Sequence, residues 1–386
     1  MRLRFHVNVY LLAFSAFFAD MGYQIVVGGL SVFIVLVLHA PIWVFALIEA
    51  VSYGIGAFFA YIGGLLADRY GAKKVSIIGN SLIPALSFTG LFRNYALAGS
   101  VYVSGWWSRN FRSPPRRVLL VESTTKENRS RAFGLLHGLD VGGGVIASVL
   151  LISLYLLGFP FSTIFLISIG PLIVSTLLIV ATRPTVREED APPEDKPEES
   201  MAMTGILIAT ALFGFSYYSI GFPILTAATT DSIAYGLLVY PIFMSVSAAG
   251  GFLYSRIRTK REIRQLGLFG YALAGAGALG ILLVLVTRAD IAFYYVAVAI
   301  LGLGTSSVET YEPSIISRIA KGSVAGRGMG LLSVFRSIGM FTGNLVFGLL
   351  YFFISSEYSY GYAAAVAFAG AAIVILAGRS YERKNA

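Results

Sequence analysis

The chain has 386 residues, 56% hydrophobic and only 13% charged, with a mean hydropathy of +0.76; a soluble domain carries about 25% charged residues, so the chain reads as an integral membrane protein whose apolar runs are long enough for helices rather than barrel strands. The absence of cysteine excludes disulfides, iron–sulfur clusters and thiolate metal sites. The net charge of +9 falls between apolar runs, where it reads as membrane topology and not as nucleic-acid binding.

Twelve spans are expected, and the first covers about 8–37. Met1-Arg-Leu-Arg resembles the start of a signal peptide, but the run behind it is too long and contains Asp20, so it is read as a retained span. Asp20 lies about twelve residues in, roughly 18 Å deep at 1.5 Å per residue, close to mid-membrane. Gln24 follows one turn later on the same face. An ionisable group at that depth is a functional candidate. Poised between burial and a neighbouring arginine, Asp20 either loads and releases a proton or stands in a fixed ion pair. The second span, about 42–66, carries Glu49, read as shallow and water-facing, and ends in the polar stretch ADRYGAKK. The third covers about 75–92.

The fourth span, about 95–121, is the unusual one. Arg109, Arg112 and Arg116 fall at i, i+3 and i+7, on one face of a helix, with Arg117 beside them. One arginine at a helix centre costs roughly 2.5–3.5 kcal/mol, so such a group must face water, acids or substrate. It favours a cargo with an anionic group. Trp106 and Trp107 adjoin Arg109, where packing is their commoner role and cavity stacking the alternative.

The fifth span, about 132–157, places His137 and Asp140 on one face. His137 is a candidate proton carrier, although a lone histidine is more often a packing residue. The three histidines are scattered and suggest no transition-metal site. The sixth span is about 160–181. Residues 182–200, rich in proline and acid, cannot form a core and are expected to be a flexible cytoplasmic linker. The remaining spans are expected at about 201–228 (holding Tyr217 and Tyr218), 233–255, 265–287, 290–318, 328–354 and 359–378. Glu309 and Glu312 stand at i, i+3 in the tenth. Arg336 in the eleventh occupies the repeat position of Asp140. Acids of one half are expected to face bases of the other, either as partners exchanged between two states or as a static network.

Of 29 Lys and Arg residues, only Arg93 and Arg288 fall in outer loops if both termini are cytoplasmic. Arg109, Arg112, Arg116, Arg117 and Arg336 sit within spans, and the rest fall in inner segments, which fixes the expected orientation. The chain also repeats itself. GGLLADRYGAKK parallels GGFLYSRIRTKR, SRAFGLLHGLD parallels GRGMGLLSVFR, and Pro115 parallels Pro313. Two six-helix halves running in the same direction, 1–181 and 201–386, with a site between them near the midplane, are a transporter arrangement.

GGLLADRYGAKK resembles the loop signature of the major facilitator superfamily, G-x-x-x-D-R-x-G-R-[RK]. Gly64, Asp68, Arg69, Gly71 and Lys73 match; Ala72 replaces the first of the paired basic residues. A prokaryotic subgroup carries F-F-x-D, I-E, R-x-x-P-R-D-A-L-I-A-D, G-R-A-F-G and H-R-A-M-D patterns. Phe17-Phe18-Ala19-Asp20, Ile48-Glu49, Arg112, Pro115, Arg116, Glu122, Arg131-Ala132-Phe133-Gly134, His137 and Asp140 resemble those positions. Arg117 stands where that pattern has aspartate, and Gly138 where it has arginine. The resemblance implies an all-α membrane fold of twelve helices in two parallel pseudo-repeats. It also implies an inner-loop latch at Asp68, shutting the cytoplasmic side by contact with a cation or a helix N-terminus such as the one near Gly326–Gly328.

The expected function is secondary active transport of a small organic solute by alternating access, with efflux one direction this allows. Proton coupling is expected because the interior holds carboxylates and the sequence has no G-x-x-x-x-G-K-[ST] run. One rival is divalent-metal efflux on Asp20, Glu49, Asp140, Glu309 and Glu312, against which the arginines argue. Another is a non-transporting receptor or scaffold on this fold. No nucleophile–base constellation suggests an enzyme. No cofactor or resident metal is implied, and twelve spans with an internal site do not require a dimer.

Overall fold

A computed structural model describes residues 6–125, 128–183, 208, 210, 214, 218–256, 262–319 and 324–384. All regular structure among them is helical. In chain order the helices are α1 (Val7–Val37), α2 (Ile42–Tyr70), α3 (Ala72–Leu82), α4 (Tyr95–Glu122), α5 (Arg129–Leu156), α6 (Phe161–Val180), α7 (Gly221–Thr230), α8 (Ile233–Arg256), α9 (Glu262–Thr287), α10 (Ile291–Ile319), α11 (Val324–Phe353) and α12 (Ser356–Lys384). Among the described residues, nine of these are long and apolar enough to cross a membrane. The other three have identifiable reasons. α3 tightens into a 3₁₀ stretch, Ile83–Leu91, at Pro84, which lacks an N–H. α4 carries the arginines. α7 is the described end of the seventh span; most of the rest of that span, Tyr217 and linker residues 184–200 lie outside the described residues.

The stretch ADRYGAKK, read as a polar loop, is helical except at Gly71. Its φ of 91° lies in the left-handed region, so one residue ends α2 and starts α3. Asn94 opens α4 by accepting hydrogen bonds from the backbone N–H groups of Ala96 (2.9 Å) and Leu97 (3.1 Å).

The chain forms two compact units. The first is Met1–Ala40, Ile55–Asp190 and Ala228–Pro241; the second is Pro41–Gly54, Ala191–Ala227 and Ile242–Ala386. α2, α7 and α8 therefore each contribute to both. In the first unit α1 is central. Val9, Leu12, Ala13 and Ala16 bury against Leu119 and Leu120 of α4, Ala132 and Leu136 of α5 and Ile179 of α6. Gly143 of α5 lies against the backbone of Phe17 in α1, where no Cβ would fit. Close backbone approach of this kind is how helices associate in lipid, where hydrophobic driving force between them is absent.

The second unit packs by the same rule. Gly277 of α9 meets the backbone of Leu301 in α10, and Gly304 of α10 meets that of Ala274 in α9. Aromatic rings fill the rest. Phe347 of α11 stacks on Tyr218 at 4.5 Å and lies 5.1 Å from Tyr360 of α12, while Phe45 of α2 meets Phe222 of α7 edge-on at 5.0 Å.

Candidate functional site

Asp20 sits near the middle of α1 and is 5% exposed. Helical spacing sets Tyr23 and Gln24 on its face. The Tyr23 hydroxyl donates to Asp20 Oδ1, and Gln24 Nε2 donates to the same oxygen at 3.4 Å. The Asp140 carboxyl, from α5, stands beside Asp20. Asp20 Oδ2 receives no N–H or O–H donor among the described residues. Arg116 of α4 pairs with Asp140 at 3.4 Å. Arg109, two turns earlier on the same face of α4, donates to the Tyr23 hydroxyl at 3.3 Å. Its guanidinium lies over the rings of Tyr23 (5.3 Å) and Trp106 (5.1 Å). Arg109 is half-buried, and cation–π contact stabilises such a cation by about 0.5–1 kcal/mol at exposed sites and about 2 kcal/mol when desolvated. Trp106 stacks on Tyr102, and Trp107 on Phe59 at 4.6 Å.

Arg112 is 1% exposed and donates from Nη1 to Asn80 Oδ1 at 3.1 Å. Asn80 in turn donates to Ser175 Oγ (3.1 Å) and Thr176 Oγ1 (2.8 Å) on α6, and Ser175 shares a 2.9 Å hydrogen bond with Ser15 of α1. One neutral amide thus links four helices to a buried cation. Among the described residues, Arg109, Arg112 and Arg116 of α4 surround the two acids Asp20 and Asp140, one cation more than the acids they border.

In the second unit Glu312 of α10 is fully buried. It accepts from Thr210 at 3.0 Å, from the Tyr271 hydroxyl of α9 and from Arg336 of α11. Glu309, one turn earlier, is exposed. The two ion pairs share a spacing: Arg116 and Asp140 are 24 residues apart, and so are Glu312 and Arg336.

Three expectations need correction. Glu49 is 1% exposed and therefore not water-facing: it lies in a stretch of α2 enclosed by packing, with Phe45, Ala46, Ile48 and Ala50 buried around it. His137 is exposed and not a packing residue, since α5 turns that position off the α1 contact. Acids do not pair with bases of the other half in the two ion pairs: α4 packs beside α5, and α10 beside α11, so each closes within its own repeat.

In the motif, Asp68 is exposed, Arg69 lies over the Tyr70 ring at 5.2 Å, and Gly64 faces Pro114 of α4. Lys73 donates to the carbonyl of Thr182 at 2.5 Å, capping the C-terminal end of α6. The expected partner of Asp68 near Gly326–Gly328 adjoins residues 320–323, outside the described residues. Among the described residues no three His, Asp or Glu side chains gather into a metal-binding group.

Sequence reasoning missed Tyr23, Asn80 and Tyr240. Asn80 had a visible signal, a lone amide inside an apolar span. The two tyrosines did not stand out among 22.

The profile of the Major Facilitator Superfamily matches residues 12–344. The multidrug resistance protein MdtH of Aeromonas salmonicida (strain A449) is 24% identical over 311 residues, covering 77% of this chain and 75% of that protein. MdtH of Salmonella paratyphi B (strain ATCC BAA-1250 / SPB7) is 34% identical over 105 residues, covering 26% of this chain and 25% of that one. Among solved structures, a D-xylose-proton symporter superposes with a TM-score of 0.79 at 10% identity, covering 96% of this chain and 97% of that one. The POT family transporter PepTSo gives 0.77 at 15% identity, covering 98% and 99%.

Proposed function

The chain belongs to the major facilitator superfamily, and from that premise we propose that it exports small organic solutes across the cell membrane in exchange for protons. It is a multi-pass membrane transporter of small molecules and not an enzyme. The observation that carries the proton reading is the placement of the Asp20 and Asp140 carboxyls beside one another, deep in the first unit and bordered by Arg109 and Arg116. Neighbouring carboxyls repel when both are ionised, so one of them is a natural seat for a transported proton. The names of the relatives support export and a broad range of organic cargo. The cationic excess on α4 favours solutes with an anionic group.

The cycle we propose rocks two six-helix halves, 1–181 and 201–386, joined by the linker 182–200. Asp20, Gln24, Glu49, Arg109, Arg112, Arg116, His137 and Asp140 serve substrate and proton in the first half, with Glu309, Glu312 and Arg336 in the second. The motif residues Gly64, Asp68, Arg69, Gly71 and Lys73 form the cytoplasmic gate. Both termini lie in the cytoplasm, which the distribution of lysine and arginine supports. A monomer suffices.

The test uses inverted membrane vesicles with an imposed acid-inside gradient and two fluorescent probes, anionic carboxyfluorescein and cationic ethidium. Uptake of at least one probe should depend on the gradient and stop when it is collapsed. Uptake indifferent to the gradient would remove the proton reading.

A further inference from the structure

Gln24 faces two ways. Its Nε2 donates to Asp20 Oδ1 at 3.4 Å, while its Oε1 accepts from the hydroxyl of Tyr240 at 2.5 Å. Tyr240 lies on α8, is 2% exposed, and packs where Gly28, one turn beyond Gln24, leaves no room for a Cβ. The next residue is Pro241, inside the helix. Proline removes a backbone hydrogen bond and is where helices bend. Ala228–Pro241 belongs to the first compact unit, and α8 from Ile242 belongs to the second. The tyrosine that holds the start of α8 against α1 therefore sits at the point where α8 changes unit.

We propose that Gln24 is the positioning residue that makes the contact between α1 and the N-terminal segment of α8 depend on the protonation of Asp20, with the protonated form holding Tyr240 in place. This rests on the proton reading of Asp20 above.

The groups around Asp20 set the sign. On its own helix stand Tyr23 and Gln24; from α4 come Arg109, Arg112 and Arg116; from α5 comes Asp140. As described, Arg109 reaches Tyr23 and the Trp106 ring. Asp20 Oδ2 has no N–H or O–H donor among the described residues, and the Asp140 carboxyl stands beside Asp20. That arrangement suits a proton held between the two carboxyls, leaving Oδ1 free to order Tyr23 and Gln24. Loss of the proton leaves a full charge on Asp20, which draws Arg109 onto Oδ1 in place of Gln24. The amide then turns, and its carbonyl no longer meets Tyr240. An amide suits this role because it is donor and acceptor at once.

The test exploits the absence of cysteine. Val239, buried beside Tyr240, is replaced by cysteine as the sole thiol, and maleimide labelling of the detergent-purified full chain is followed from pH 5 to 8, corrected for the reagent's own thiolate dependence. The labelling rate should rise with pH in the V239C protein and stay low throughout when Asp20→Asn is added. With Tyr240→Phe, which keeps the ring packing, or Gln24→Leu, labelling should be about fivefold faster at low pH, the worth of one hydrogen bond, and independent of pH. Retention of the parent pH slope by both Tyr240→Phe and Gln24→Leu would overturn the inference. If Asp20→Asn abolishes gradient-driven uptake while those two keep the slope, this inference alone has failed. If uptake survives Asp20→Asn, the proton reading beneath it has failed.

Discussion

Glu312, fully buried, and Arg336, 27% exposed, form an ion pair across α10 and α11, and the same sequence offset that carries Glu312 back to Arg116 carries Arg336 back to Asp140. Each half thus joins its fourth and fifth helices by one acid and one base, with the signs exchanged. The exchange leaves the cation on the fourth helix in the first half and the acid on the fourth helix in the second. In the second half the carboxylate is satisfied by three donors, Thr210, Tyr271 and Arg336. In the first half Asp140 faces another carboxyl. By this contrast Glu312 is suited to hold helices together and the Asp20–Asp140 pair to change charge.

Removing one partner of the second pair should be costly. Arg336→Met leaves Glu312 buried without its cation, and breaking a buried pair costs about 3–5 kcal/mol. The thermal midpoint of the purified protein should fall markedly. Combining it with Glu312→Gln should recover part of the loss, as a double-mutant cycle would measure.

Asn80 is the neutral counterpart of that pin. Asn80→Ala removes the hydrogen-bond acceptor of Arg112 Nη1 and the donor to Ser175 and Thr176. A buried donor left unsatisfied costs about 1–3 kcal/mol, more for a charged group. Thermal stability should drop in Asn80→Ala and be largely kept in Asn80→Asp, which supplies Arg112 with a carboxylate.

Arg109, half-buried on the same face as Arg112, also tests the cargo. If the arginine face receives an anionic group, Arg109→Gln should weaken stabilisation of the purified protein by carboxyfluorescein and leave that by ethidium unchanged. One charge-assisted hydrogen bond, about 1.5–3 kcal/mol, corresponds to roughly a tenfold to hundredfold loss of apparent affinity. Equal loss for both probes would point to a folding defect.

The inner motif gives a separate prediction. Asp68→Asn should cut transport while insertion and thermal stability stay unchanged, because Asp68 is exposed and carries no packing. Gly71→Ala, in contrast, forces a Cβ into φ 91° and should destabilise by about 1–2 kcal/mol. Unchanged flux in Asp68→Asn would remove the gate.

Much of this was readable from the residues. Span lengths, the direct repeat and the loop signature led to a twelve-helix transporter, because length and apolarity are local properties. Asp20 and Gln24 were legible as one face, since i and i+4 is a helical spacing. The Arg116–Asp140 and Glu312–Arg336 pairs were half legible: Arg336 and Asp140 were aligned by the repeat, but which base met which acid depended on α4 lying beside α5. The burial of Glu49 was not legible, because depth along a span does not report how closely neighbouring side chains pack around it. Tyr240 was invisible, since its contact with Gln24 joins positions 216 residues apart and a tyrosine in an apolar span has many ordinary uses.

The most direct measurement is proton release. A weakly buffered solution of the detergent-purified protein at neutral pH, with a pH-indicator dye, is mixed with a transported probe. The parent protein should release protons on binding, and Asp20→Asn should bind the probe without releasing any. Proton release unchanged in Asp20→Asn, or probe binding with no release from the parent, would contradict the carboxyl pair as the seat of coupling.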